Sequence, residues 1–431
     1  MSVPYMERGS TTMTSDVSVQ DSGGADLMVN NLTFESPKAL SLAVNRSYHK
    51  SFFQRSQYTG DRSTTMICDI NSGTSFINCA NSYLAISVQL EGGAGAVASF
   101  GSGSAMNVIN EVRIRSRSGV ELDRVQNANM WSMFDSVYNR SAQNLDTIGA
   151  LEGFSVGRLP ANSTTEVDAT TKFLIPLGCI SPYFRPMQGQ LLPPQLASGL
   201  RIELSLEDFR TALYQVGGTV TGYTITDCYL QLDSVELTDE TQRTLNMDSA
   251  KDGLEWSYER VYTTITQQPS AQTSISAQVR KAVSQACLVY SVSISAADRV
   301  DITKDSLVAV PFNTSTFQYR LGSLYFPNQR IENGVDGIES TLIAYETFDK
   351  LRHPFRETSV TPATFKAKFG VLAASLERDQ SLQFSGLAVN NSRTLELDAT
   401  YAAVAENLEV YTFLTYCAVA RAFIDNVSVA L

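Results

Sequence analysis

Apolar residues alternate with small or polar ones in segment after segment of this chain, and that period of two constrains the fold more than any other feature. Tyr83-Leu84-Ala85-Ile86-Ser87-Val88-Gln89-Leu90 reads this way, as do Val112 to Arg117, Leu200 to Leu206 and Tyr229 to Leu237. Further strand candidates are Ala286 to Ser295, Thr364 to Ser375, Thr394 to Leu397, and Val410 running on into Ala422 to Val429. Successive side chains of a strand point to opposite faces, so each segment offers one face to a core. Helical spacing is sparse, confined to Ala128 to Tyr138, Ile338 to Leu351 and a charged stretch from Asp239 to Lys251. Many short strands between Gly, Ser and Asn turns predict an all-β chain of sandwiches or barrels.

A chain of 431 residues exceeds one ordinary core and suits two. An internal echo supports a division near the middle. Leu232-Asp-Ser-Val-Glu-Leu237 matches Ile424-Asp-Asn-Val-Ser-Val429 in residue type except at its polar fifth position. The first copy is followed by a linker-like stretch, TDETQRTLNMDSAKDG, so each copy is expected to be the closing strand of a domain. The expected organisation is a polar arm over residues 1–30, a first sandwich over 31–238, a linker over 239–256 and a second sandwich over 257–431.

Charge narrows the partners. The formal net charge is -11, which repels phosphate backbones and anionic lipid surfaces. The arm is rich in Ser, Thr, Asp and Gly and lacks a Lys/Arg cluster, so direct nucleic-acid binding is not expected. The opening MSVPYMERGSTTMTSD has no apolar signal core, and the most apolar run, Val410 to Ala420, stops at Arg421, too short to cross a bilayer. The Asn-x-Ser/Thr sequons therefore read as loops. The six cysteines are scattered with no CxxC pair, which predicts buried thiols in a reducing compartment rather than a disulfide framework or zinc ribbon.

Two stretches imitate catalytic or cofactor motifs. Gly93-Ala94-Gly95-Ala96-Val97-Ala98 fits a dinucleotide fingerprint, with Glu111 and Glu121 near the place of a ribose-binding acid. The turn-favouring Ser-Phe-Gly-Ser-Gly-Ser that follows forbids the helix whose N-terminus would face the pyrophosphate, so the stretch reads as a turn between strands. Gly153-Phe154-Ser155-Val156-Gly157 matches a nucleophile elbow, and His353 comes later as a triad would require. Neither an apolar strand before it nor a helix after it is present. His49 and His353 are the only histidines and have no metal-ligand spacing, while Glu236, Asp239 and Glu240 read as a solvated acidic face. No catalytic residue, metal or cofactor is expected, and the chain is read as a non-enzyme. Arg113, Arg115 and Arg117 are placed on one face of a strand, where the acidic balance favours carboxylates of a neighbouring subunit as their partners over phosphate.

A cadence along the chain resembles a known family. It comprises Ser47-Tyr-His-Lys-Ser-Phe-Phe53, Asn107-Val-Ile-Asn-Glu-Val-Arg-Ile-Arg115 with Gly119-Val-Glu-Leu-Asp123, and Lys172-Phe-Leu-Ile-Pro-Leu-Gly178. It continues with Ser181-Pro-Tyr-Phe184, Leu192-Pro-Pro194 and Leu200 to Leu206. These segments resemble the first jelly roll of double jelly-roll major capsid proteins from icosahedral double-stranded DNA viruses. Tyr319-Arg-Leu-Gly322, Leu324-Tyr-Phe-Pro327, Gln329, Ala344-Tyr-Glu-Thr347 and Phe423 to Val429 are similar to the virophage and Polinton-like branch. The resemblance implies two consecutive eight-stranded jelly rolls with a few short helices in loops. It also implies pseudo-hexagonal homotrimers, contacts with neighbouring capsomers and with minor capsid and penton (vertex) proteins, and a place in the virion shell after assembly inside the host cell rather than secretion. It leaves open whether the shell encloses a membrane. The rival reading is a lectin-like jelly roll or spike-type surface protein, which needs exposed aromatics beside Asp or Asn; Trp131 and Trp256 lie instead in segments that read as packed.

Overall fold

A computed structural model describes residues 43–431 apart from 155–158, 161–169, 187–189, 252, 334–335, 349–357, 380–384, 391–392, 403–405, 424–426 and 431. The expected arm over residues 1–30 lies outside the described residues.

The first half contributes β1 (Ala43–Phe52), β2 (Thr65–Ile70), β3 (Phe76–Gly92), β4 (Ile109–Arg115), β5 (Glu121–Gln126), β6 (Thr170–Pro176), β7 (Leu200–Leu206) and β8 (Val220–Leu237). These build two antiparallel sheets of order β1-β8-β3-β6 and β2-β7-β4-β5. The second half contributes β9 (Leu254–Gln268), β10 (Ser274–Val279), β11 (Val283–Ser295) and β12 (Thr314–Leu321). It continues with β13 (Leu324–Glu332), β14 (Leu372–Ser375), β15 (Leu395–Tyr401) and β16 (Leu408–Ala422). Their sheets run β9-β16-β11-β14 and β10-β15-β12-β13. The order is the same in both halves once eight is added to each strand number. Val97–Ser99 is the middle of a separate small three-stranded sheet, and Val427–Ala430 pairs with the end of β16.

The alternation does what the sequence predicts where one sheet face meets solvent. In β7, Leu200, Ile202, Leu204 and Leu206 are buried while Arg201, Glu203 and Ser205 point outward. The echo, however, is not a structural repeat. Leu232 to Leu237 ends β8, a central strand paired to β1 and β3, whereas Val427–Ala430 pairs only with the end of β16, and 424–426 lie outside the described residues. The counterpart of β8 is β16. Alternation alone produced the match.

The three expected helices form, and a fourth that the spacing did not indicate accompanies them. α1 (Ala128–Asn139) and α2 (Ala142–Glu152) lie between β5 and β6, α3 (Asp239–Lys251) joins the halves, and α4 (Ile338–Phe348) lies between β13 and β14. α2 starts where Ser141 accepts a hydrogen bond from the Asn144 amide and stops at Gly153, whose φ of 96° suits a residue without Cβ. α3 opens on Asp239 and Glu240, favourable beside a helix N-terminus. The strand expected over Thr364 to Ser375 is a correction: only Leu372–Ser375 is extended. Thr361, just before Pro362, and Thr364 form a reciprocal capping box that starts helical backbone running from Pro362 to Phe369.

The halves share a core. β16 and β11 are buried on both faces: Val410, Leu414 and Val289 face the interior of the second sandwich, while Phe413, Tyr290 and Val292 join the core of the first half. Burial on both faces explains why Val410 to Ala420 is nearly continuously apolar. Tyr138 of α1 stacks on Phe348 of α4 at 4.4 Å, and its hydroxyl donates to the Phe369 carbonyl at 2.7 Å. Residues Ala43–Leu431 accordingly form one compact unit.

Candidate functional site

The suspected chemical motifs that fall within the described residues have definite places in this scaffold. Gly93 to Ala96 is a turn joining β3 to Val97–Ser99, closed by Ala96 N–H donating to the Gly93 carbonyl at 3.1 Å. Gly93 N–H donates to the Thr219 carbonyl at 2.9 Å, so the turn leans on the loop before β8. The tight position belongs to Gly218, which has φ 63° and lies where a Cβ would fall 2.5 Å from the Ala96 backbone. Gly218→Ala is expected to cost about 2 kcal/mol, combining left-handed strain with overpacking. Gly93→Ala, with its nearest neighbour at 4.0 Å, should stay within about 0.5 kcal/mol in the same denaturation measurement.

The elbow-like stretch follows helix α2 rather than a strand. Gly153 caps that helix and Phe154 is buried, whereas Ser155 and His353 lie outside the described residues. His49, on β1, shares a 2.8 Å hydrogen bond with the Ser234 hydroxyl of β8. Among the described residues no group of His, Cys, Asp and Glu is arranged to hold a metal ion, and no helix is long and apolar enough to cross a membrane. All six cysteines are buried thiols without a disulfide, and Trp131 and Trp256 are buried as their segments suggested. Glu236 is the penultimate residue of β8, and Asp239 and Glu240 open α3.

Arg113 and Arg115 lie on the outer face of the β2-β7-β4-β5 sheet. Arg113 pairs with Glu111 at 2.8 Å, Arg124 pairs with the same carboxylate at 2.6 Å, and Arg115 reaches Glu203 on β7 at 3.2 Å. Arg201 and Asp69 extend the row at 2.7 Å. Burial alone would push the Glu111 carboxyl up, but hydrogen bonds from Arg113 and Arg124 outweigh it and hold the group below the usual carboxylate range. Arg117 departs from the expected arrangement. It sits past the end of β4 in the turn where Gly119 N–H donates to the Ser116 carbonyl, with its stem against Gly199. The strand face therefore carries two of the three arginines, each with a carboxylate of its own chain.

A cavity of about 440 Å³ near α1 and β6 is lined by Arg140, Arg185, Asp135, Cys179 and Asn78 among others. Its charges are matched pairwise, Arg140 to Glu152 and Arg185 to Asp135, each at 2.7 Å. Burial pushes the Glu152 carboxyl up, an effect the Arg140 charge only partly offsets.

Sequence reasoning missed the polar junction between the halves. Asp123 of β5 is fully buried; it accepts from the Ser181 hydroxyl and, at 2.9 Å, from the Arg124 amide, and Arg260 of β9 lies 3.4 Å away. Burial raises the Asp123 carboxyl, and the Arg260 charge and Ser181 hydrogen bond do not fully reverse this. Glu207, also fully buried, holds Arg62 and the Asp208 amide and lies 3.9 Å from Arg299 of the second half. Around these charges Tyr258 donates to the Leu122 carbonyl, Thr263 to Gln126 at 2.9 Å and Trp256 to Tyr183 at 3.0 Å. Ser102 N–H donates to Asp305 at 2.7 Å. Both buried carboxylates neighbour strand ends whose covering layer comes from distant sequence, so local pattern carried no signal for them.

No protein-family model matches the sequence, and no curated protein matches it. Solved structures do. The capsid of PBCV-1 aligns with a TM-score of 0.64 at 12% identity, covering 92% of this chain and 99% of that one. The Faustovirus major capsid protein aligns at 0.62 with 9% identity, covering 92% and 94%. The Sputnik virophage structure aligns at 0.59 with 11% identity, covering 93% and 91%. Those alignments, with two sandwiches of one strand order in tandem, decide the architecture. The fold is a double jelly roll. Each jelly roll packs two sheets built on four main strands apiece face to face, and the junction just described welds the first jelly roll to the second.

Proposed function

We propose that this chain is the major capsid protein of an icosahedral double-stranded DNA virus and serves as a building block rather than an enzyme. The supporting observation is the repeated strand order, β1-β8-β3-β6 with β2-β7-β4-β5 and its copy eight strands on, in a chain that aligns with viral capsid proteins over nearly its whole length. Two near-equivalent sandwiches per chain let three copies present six, so a trimer fits a hexagonal lattice position. A head-to-tail contact between copies closes into a ring when its rotation permits. The homotrimer is taken to meet neighbouring capsomers and minor capsid and penton proteins in the virion shell, with assembly inside the host cell. Arg113, Arg115 and Arg117 are proposed at such contacts: the first two are about one-third exposed beside their own carboxylates, and Arg117 is exposed in its turn. The net charge of -11 supports a shell without direct genome contact.

Electron microscopy of the purified full chain tests this reading. Pseudo-hexagonal trimers or closed shells are the expected particles. A chain that stays monomeric across concentration and salt, or binds glycans on an array as a soluble module, overturns it.

A further inference from the structure

Cys287 and Cys417 differ from the other four thiols. Cys68, Cys79 and Cys228 point toward backbone carbonyls and Cys179 toward Arg140. Cys287 also reaches the Gln285 carbonyl at 3.7 Å, but its sulfur and that of Cys417 lie 3.0 Å apart, in the second jelly roll. They sit on β11 and β16, adjacent antiparallel strands at the centre of one sheet. A register shift between Ala286 and Leu288 makes Cys287 the extra residue of a bulge beside its partner strand. Ala286 pairs with Tyr416 and Leu288 with Thr415, so Cys287 is not directly opposite Cys417; the approach of the two sulfurs comes from the bulge rather than from a paired register. The sulfurs need to approach by only about 1 Å to reach bonding distance.

We propose that Cys287 and Cys417 are a latent disulfide site, a covalent staple between β11 and β16 that closes under an oxidant of the disulfide class such as glutathione disulfide. One protein thiolate attacks a sulfur of glutathione disulfide, forming a mixed disulfide and releasing one glutathione. The second protein sulfur then attacks the mixed disulfide and releases the other. Two S–H bonds are lost and one S–S bond is gained, and two electrons and two protons reduce one glutathione disulfide to two glutathiones.

Two features set when this happens. Cys287 is 0% exposed and Cys417 4%, which excludes a bulky oxidant from the folded sheet. The shared hydrogen bond with Cys417, followed by burial, also pushes the Cys287 thiol well above its ordinary value, so the reactive thiolate is scarce. The staple therefore closes as β11 and β16 come together during folding or in a transient opening, and burial then shields the product from reductants. It spans 130 residues of chain, a long loop for which cross-linking restricts the unfolded state strongly.

Full-length protein refolded in glutathione buffers of increasing oxidised fraction, trapped with N-ethylmaleimide and mapped by non-reducing mass spectrometry, gives the test. The expected product is a single linked peptide pair, Cys287 with Cys417, with Cys68, Cys79, Cys179 and Cys228 alkylated. The oxidised protein should unfold about 5 °C higher than the reduced one. Cys417→Ser should abolish both the link and the shift, its unfolding midpoint being the same in oxidising and reducing buffers. Six alkylated cysteines at every ratio, or links scattered among the six, overturn the proposal; so does a link without any change in midpoint.

Discussion

Trp256→Ala is expected to cost about 4 kcal/mol and to lower the unfolding midpoint of both jelly rolls together. Trp256 belongs to the second half by sequence, yet its indole is 1% exposed among first-half residues. Its ring lies 6.1 Å from Tyr183, which meets Tyr258 edge-on at 5.0 Å and Phe184 at 5.3 Å. Truncation leaves a cavity in that cluster and orphans the Tyr183 carbonyl, which accepts the indole N–H at 3.0 Å. Calorimetry distinguishes the outcomes. A single endotherm moving down as a whole is expected, because β11 and β16 contribute one face to each core. Two endotherms, with only the later one displaced, would mean that the halves unfold independently.

Arg260→Met is expected to cost about 3–5 kcal/mol at neutral pH by stranding the fully buried Asp123 carboxylate. The pH dependence has a defined sign. Asp123 in the folded chain titrates above its ordinary range, so its contribution to stability is full below the unfolded value and is lost as pH rises through the folded one. Removing Arg260 raises the folded value further. The penalty of the variant should therefore be greatest at neutral pH and shrink in mild acid as Asp123 takes up a proton. Denaturant titrations of both proteins at several pH values read this directly. Adding Asp123→Asn to the variant should flatten the dependence, and an undiminished pH slope in the double variant would show that another group is responsible.

How much of this was legible in the sequence depended on what covers each strand. β7 announced itself because one face is core and the other is wet or half-buried, whereas β8 alternates in residue type although Leu230 and Leu232 on one face and Tyr229, Asp233 and Val235 on the other are all buried. β16 reads as an apolar run because another layer covers its second face, information that local alternation cannot hold. Helices α1 and α3 were visible in spacing and charge, and the junction helix α3 falls inside the expected linker, although β9 starts at Leu254 within that linker. The Thr361 capping box diverted a segment whose composition looked extended. Arg117 was assigned to a strand that ends at Arg115, because a turn of Ser, Arg, Ser and Gly continues the alternation by accident. Asp123 lies beside Arg124 in a sequence that looks like an ordinary solvated strand edge. Only β9, folded against it from far along the chain, converts it into a buried charge.

The placement of β8 and β16 bears on how the polypeptide matures as it is synthesised. Each occupies the middle of its sheet but is the last of its eight strands to leave the ribosome, and β16 runs to Ala422. Until each arrives, its flanking strands have exposed ladders and no central partner, so neither jelly roll can complete itself halfway through translation. The weld between halves waits longer still, since β16 supplies Phe413 and Tyr411 to it. The unfilled ladders make that interval the one in which a chaperone has most to shield.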